Sequence, residues 1–243
     1  MSVEARRTPE QDHFRTPYRE TPFHPRTSVF NRNRSWLPWA GSITANVYDD
    51  TTMEYFAIRS QAGVYDISPM IKYRVTGRDA EAFMDRLQLR AIGKLEPGRV
   101  AYTGWCDAHG HLIDDGTVFR FGASDFRICC QERMLPWMLD SAIGFKVSIE
   151  EETDAVAGLS LQGPSSFSVL KDAGLAEAGR LKPFDLAEFR LGDVPVLISR
   201  TGFTGDLGYE VFCDAGDALD VWDAIFEVGT PHGMLPLGQI AIV

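Results

Sequence analysis

No stretch of the 243-residue chain approaches the run of about 20 apolar residues that a membrane-spanning helix needs, so no transmembrane span is expected. The N-terminus carries Arg6 and Arg7 with no apolar segment behind them, and no secretory signal is expected there. Cysteine is scarce: Cys106, Cys129, Cys130 and Cys213 stand in apolar, strand-like settings, without a C-x-x-C or any metal-ligand spacing. They read as buried free thiols in a reducing compartment, and the expectation is a cytoplasmic protein with no metal site. The sequence also lacks a G-x-G-x-x-G fingerprint, a P-loop and an internal repeat. Basic residues are outnumbered, 24 Lys and Arg against 34 Asp and Glu, giving a formal charge of −10. Phosphate binding is dominated by Lys and Arg, so neither nucleic acid nor an anionic membrane is expected as principal partner. A local basic patch would still suffice for a small anionic ligand.

What is present is an ordinary globular composition, 44% hydrophobic, long enough for one large domain or two small ones. Residues 1–27 are polar, rich in Arg, Pro and Thr, and read as an arm, mobile or wrapped over the surface. Residues 35–48 hold Trp36 and Trp39 in a loop interrupted by Pro38 and Gly41. The two indoles either line a pocket for a planar ligand or anchor the loop onto the core. Asp50 or Thr51 caps a helix expected to turn Met53, Phe56 and Ala57 inward and to stop at Gly63. A second helix after Gly77 is expected to bury Ala82, Phe83 and Leu87. Strand patterns recur through the remainder, among them 186–191 and 194–199 around Gly192-Asp193, and a last helix is expected over 215–228. Strands joined by short turns in two-strand-then-helix groups imply an α+β fold with antiparallel sheets.

Two stretches carry chemistry. In AYTGWCDAHGHLIDDGTVFR, residues 101–120, the adjacent Asp114 and Asp115 sit on a β-prone segment. Neighbouring strand residues face opposite ways, so one carboxylate points into the fold and needs a cation, a hydrogen-bond donor or a ligand. His109 and His111 flank the turn, either assisting proton transfer or standing in solvent. In RTGFTGDLGYEVF, residues 200–212, three glycines within seven residues mark a backbone with positive φ or a close approach. The strand that follows puts Glu210 on one face with Phe212. A carboxylate there suits a ring presenting two adjacent N–H donors, such as a pterin edge; the alternative is a glycine hairpin with Glu210 exposed.

The ordered segments GVYDIS (63–68), GRDAEAFMDRL (77–87), KLEPGRVAYTGW (94–105), GHLIDDGTVFR (110–120), LSLQGPSS (159–166) and RTGFTGDLGYEVF (200–212) together resemble the aminomethyltransferase family. This is the glycine-cleavage T-protein superfamily of tetrahydrofolate-dependent enzymes. The resemblance implies a ring of small α+β subdomains, antiparallel sheets with flanking helices, around a central folate channel. It divides the chain into the arm, 1–27, and a folate-binding domain, 28–243, ending before the family's C-terminal barrel-like domain. It implies Asp115 as the catalytic carboxylate and Glu210 as the residue holding the pterin. Tyr102 matches a pocket tyrosine, Gln131 stands where the family has Asn, and Phe203 replaces a loop tyrosine. Pro69 in DISPM replaces a histidine, and Ile240 and Ala241 stand where Arg and Asp are usual. These departures point away from the T-protein itself, toward relatives that demethylate aryl methyl ethers, methylated amines or sulfonium compounds. The expected activity is transfer of a methyl or aminomethyl group from a small-molecule donor to tetrahydrofolate. The alternative is a non-catalytic folate-binding or interaction subunit, with either a homo-oligomer or a partner chain supplying the missing portion.

Overall fold

The computed structural model describes residues 18–242. In chain order the first elements are β1 (Arg19–Glu20), α1 (His24–Thr27), β2 (Ser35–Trp39), β3 (Ser42–Val47), α2 (Thr51–Ser60), β4 (Gly63–Asp66), β5 (Ile71–Thr76) and α3 (Ala80–Leu87). The middle holds β6 (Arg99–Cys106), β7 (Leu112–Gly122), β8 (Asp125–Cys130), α4 (Leu135–Ser141), β9 (Ser148–Glu151), β10 (Val156–Gln162) and α5 (Ser166–Asp172). The last third adds β11 (Leu186–Leu191), β12 (Val194–Ser199), β13 (Gly208–Asp214), α6 (Ala218–Gly229), β14 (Leu235–Pro236) and α7 (Gln239–Ile242). Among the described residues three sheets result, ordered β1-β3-β2, β11-β12-β13-β10-β4-β14 and β6-β7-β8-β5-β9. Pairing is antiparallel except between β1 and β3 and between β14 and β4, so the α+β expectation holds.

The strand period of two explains the layering. Along β13, Tyr209, Val211 and Cys213 join a core with Val169 of α5 and Val221 and Trp222 of α6. On the five-stranded sheet, Tyr73, Val75, Val118 and Ile128 join a second core with Phe83 and Met84 of α3 and Met138 of α4. The alternate residues face the other way and meet between the sheets: Tyr65, Ile67 and Phe212 from one, Val100, Phe119 and Cys129 from the other. The molecule is therefore stacked helix, sheet, sheet, helix, and its innermost layer lies between two β-surfaces.

Several local expectations are corrected. The tryptophan-bearing segment is a hairpin, β2 and β3, and not a loop. Ten residues of the proposed arm are described, and Phe23 among them is fully buried beside Trp222; residues 1–17 lie outside the described part. Helix α2 is capped by Asp50, which accepts from the Met53 amide at 2.9 Å. It buries Glu54, Ala57 and Ile58, leaving Met53 and Phe56 62% and 55% exposed. The reason is polar. The Glu54 carboxylate accepts from the amides of Tyr48 (2.8 Å), Asp49 (3.1 Å) and Gly238 (2.7 Å), holding the end of β3 and the approach to α7 together. In α3, Met84 takes the inward place expected of Ala82.

All four cysteines are free, and no helix among the described residues is long and apolar enough to cross a membrane. Replacing Glu54 by Ala leaves three amides without their acceptor, an expected loss of about 3 kcal/mol of unfolding free energy. Urea denaturation of Glu54→Ala against wild type measures it; an unchanged midpoint would show that the carboxylate is not what secures this corner.

Candidate active site

Strand alternation aims two carboxylates into the layer between the large sheets. On β7, Asp115 shares a face with Thr117 and Phe119; on β13, Glu210 shares one with Phe212. The apolar packing at Phe119 and Phe212 gives way beside them to a cavity of about 420 Å3. Asp115, Glu210, Tyr102, Gln131 and Phe203, the five residues expected from the sequence, all line it. All three sheets contribute, with Trp39 from the small one, Glu210 from the six-stranded one and Asp115 from the five-stranded one.

Asp115 pairs with Gly104 across the β6–β7 ladder and accepts a hydrogen bond from the Tyr102 hydroxyl. That bond, more than burial, raises the Tyr102 pKa above the usual phenol range. Asp114 lies on the opposite face of β7. Its carboxylate accepts from the amides of Asp115 (2.8 Å) and Glu132 (3.1 Å), which fixes the chain just after Gln131. Gln131 in turn accepts from the Trp39 indole N–H at 3.0 Å, and Trp39 stacks on Tyr65 with centroids 5.8 Å apart. Trp39 thus serves the pocket, whereas Trp36 packs against His24. His109 and His111 stay in the exposed β6–β7 turn, organised by Asp107, and do not line the cavity.

Glu210 is held differently. The Thr201 hydroxyl donates to its Oε2 at 2.6 Å and lies 2.6 Å from the Ser199 hydroxyl. Burial pushes the Glu210 carboxyl above its ordinary range, opposed by the hydroxyls of Thr201 and Ser199 and by the charge of Lys72. Lys72 is itself fully buried, donating to the carbonyls of Ser68 and Met70 at 2.9 Å each, and burial lowers its pKa to about 8.

The glycine loop is explained by Gln162, which sequence reasoning passed over although it sits in the LSLQGPSS segment. Its side-chain amide is packed between Gly202 and Gly208, and a Cβ on either would come within 2.1 Å of Oε1. The amide accepts from Thr204 Oγ1 (2.9 Å) and donates to Ser160 Oγ (3.0 Å) and the Thr201 carbonyl (3.4 Å). Close approach, one of the two reasons given for the glycines, thus accounts for Gly202 and Gly208. From outside, Arg59 donates to the Thr204 carbonyl (2.7 Å) and pairs with Asp206. Phe184 and Gln239 also line the cavity without any local pattern that marks them.

The raised pKa of Glu210 ties the protein's stability to pH. A folded pKa above the unfolded one favours folding when the group is protonated, and that advantage is lost as pH rises through the folded value. Glu210→Gln keeps the neutral form throughout. It is therefore expected to unfold at higher temperature than wild type at pH 8, with the difference closing below the usual glutamate pKa of about 4.3. Thermal unfolding across that range tests this; a Glu210→Gln variant less stable at pH 8 would show that the ionised carboxylate is well compensated.

The family model for the GCVT N-terminal domain matches residues 23–243. Trimethylamine-oxide aldolase of Ruegeria pomeroyi is 37% identical over an alignment covering 99% of this chain and 32% of that protein. The heme-dependent oxidative N-demethylase gamma subunit of Ectopseudomonas mendocina is 38% identical over 84% of this chain and 54% of that subunit. The chain thus spans about a third to a half of these curated relatives. Its fold matches the crystal structure of glycine cleavage system aminomethyltransferase T from Bartonella henselae with a TM-score of 0.80 at 22% identity, over 92% of this chain and 60% of that one. With the match running through residues 23–243, the chain belongs to the GCVT N-terminal domain family.

Proposed function

We propose that this chain binds tetrahydrofolate in the cavity and supports one-carbon transfer from a small methylated or aminomethyl donor. The observation that carries the reading is the pair of carboxylates, Asp115 and Glu210, brought from two sheets into one aromatic-walled cavity. The residues fit the pterin. Thr201 takes up only part of the accepting capacity of Glu210, and the remaining lone pairs suit the two adjacent N–H donors of a pterin edge. Trp39 and Tyr65 supply flat apolar wall, and a volume of about 420 Å3 lies within the range of small-molecule sites. Tetrahydrofolate, when bound, supplies the nitrogen that accepts the one-carbon unit.

The protein's part is positioning and charge. Glu210 sets the orientation of the ring, and the Gln162 amide keeps the loop around Thr201 in place behind it. Asp115 faces the region where positive charge develops on the donor, and a fixed carboxylate in an apolar setting lowers the energy of such a state more than water would. The Tyr102 hydroxyl holds that carboxylate in one orientation. A demethylase-type donor agrees with the departures at Pro69, Ile240 and Ala241 from the T-protein pattern. A second reading, a folate-binding subunit working with a partner chain, is favoured by the relative that is named as a gamma subunit.

Calorimetry with tetrahydrofolate, and mass detection of methyl-tetrahydrofolate after incubation with a donor panel, test the reading. Glu210→Gln is expected to weaken tetrahydrofolate binding about 10-fold or more, through loss of a charge-assisted pair. Asp115→Asn is expected to keep the affinity and lower turnover about 100-fold. Tetrahydrofolate binding that is absent, or equal in wild type and Glu210→Gln, would remove the pterin assignment. Binding without turnover of any donor would leave the partner-dependent reading.

A further inference from the structure

Cross-strand register lines up four polar side chains on one face of the six-stranded sheet. Ser199 of β12 stands opposite Glu210 of β13, Glu210 opposite Ser160 of β10, and Ser160 opposite Tyr65 of β4. Neighbouring strands lie about 4.8 Å apart, so the four form a single polar rung across the sheet. Glu210, Ser160 and Tyr65 line the cavity, and Ser199 is fully buried at the end of the row. Ser160 is itself buried, between Leu159 and Leu161, which face the helix-covered core. A small apolar residue would serve the packing here, so the hydroxyl needs a reason of its own.

The protons of this row can be followed one by one. Thr201 gives its single hydroxyl proton to Glu210, so Ser199, 2.6 Å from Thr201, gives its own to Thr201. Tyr65 donates to Oε1 of Gln239. Ser160 accepts from the Gln162 side-chain amide at 3.0 Å, and its own proton meets no acceptor among the described residues. Two unspent capacities therefore stand side by side, the remaining lone pairs of Glu210 and the O–H donor of Ser160. The ligand edge that complements them carries N–H donors beside an oxygen acceptor. A pterin has this order along its 2-amino-4-oxo edge: the amino group, N3–H, then the C4 carbonyl.

We propose that Ser160 is a specificity-determining residue, donating to the C4 oxygen of a pterin held by Glu210 and making the cavity select 4-oxo over 4-amino pteridines. In a 2,4-diaminopteridine the carbonyl is replaced by an amino group and N3 carries no hydrogen. Such an edge offers Glu210 one donor fewer and gives the Ser160 proton no oxygen to meet. A polar site rejects an analogue that leaves its buried groups unpaired. The bond from Gln162 into the Ser160 oxygen polarises the hydroxyl and makes it a better donor. The role of Ser160 rests on the folate binding proposed above and adds to it a choice between two closely similar rings.

Tetrahydrofolate and its 4-amino analogue, tetrahydroaminopterin, differ only at this edge. By anaerobic calorimetry, wild type is expected to bind tetrahydrofolate at least about 10-fold more tightly than the analogue. Ser160→Ala is expected to lower tetrahydrofolate affinity about 5-fold while leaving that of the analogue unchanged, so that the ratio narrows by the same factor. Disturbance of Gln162 or of the glycine loop would weaken both ligands together, so the ratio reports the hydroxyl and the separate affinities report the fold. Equal binding of the two ligands to wild type, or a ratio unchanged in Ser160→Ala, would overturn the assignment. Glu210→Gln measured alongside separates this proposal from the one it rests on. Tetrahydrofolate binding that weakens in Glu210→Gln while Ser160→Ala leaves the ratio unmoved counts against Ser160 alone; no tetrahydrofolate binding by wild type counts against both.

Discussion

The edge-on contact of Phe119 with Phe212, ring centroids 5.5 Å apart at 87°, sets the spacing of the two large sheets. Both rings are buried, and each marks the inner face of its strand. Counting back by twos from Phe119 gives Thr117 and Asp115, and from Phe212 gives Glu210. A dispersion contact between two phenylalanines thus holds two carboxylates across a cavity, although neither acid touches it. A one-residue slip in either ladder would send that acid into a helix-covered core. Register is consequently the constraint from which the site follows.

Around this frame, the polar groups are arranged at some expense in stability. Glu210 is pushed toward its neutral form by burial, and Lys72, buried nearby, is pushed toward its own. Glu54 shows the opposite arrangement, a buried carboxylate with three amide donors. The distinction is physical. Glu54 has its hydrogen bonds supplied by the fold, whereas Glu210 has some of its accepting capacity left over. A half-buried carboxylate on a cavity wall, with accepting capacity beyond its Thr201 bond, is placed to take donors from a ligand.

How far the sequence spoke for itself depended on whether the cause was local. That one of Asp114 and Asp115 points inward, and that Glu210 shares a face with Phe212, were legible from strand period; the choice of Asp115 came from the resemblance to the family. The hairpin of β11 and β12 was legible from its Gly192-Asp193 turn. The face of α2 was not: apolar counting favours Met53 and Phe56, but the helix is rotated by amides of Tyr48, Asp49 and Gly238, the last of them 184 positions from Glu54. Gln162 was equally hidden. The three glycines of the loop announce a close approach without saying what approaches, and the answer lies in a strand 40 residues earlier, counted from Gln162 to Gly202. Phe184 was hidden for another reason: Pro183 and the Asp185 amide, bonded to the Lys182 carbonyl at 2.9 Å, make a turn whose third residue has φ at +64°, a place where Gly or Asn rather than Phe is the usual mark.

The two large sheets also differ in how they are drawn from the chain. All strands of the five-stranded sheet fall between Ile71 and Glu151, whereas the six-stranded sheet pairs Leu235 of β14 with Gly63 of β4. Pairings so distant in sequence are slow to form, because a long loop must be closed before they repay it. As a ribosome releases the chain from its N-terminus, the sheet bearing Asp115 has all its strands while the sheet bearing Glu210 still lacks several. The wall with the first carboxylate can thus be standing before the wall with the second has been translated. Gln239 and Ile242, which also line the cavity, reach it last.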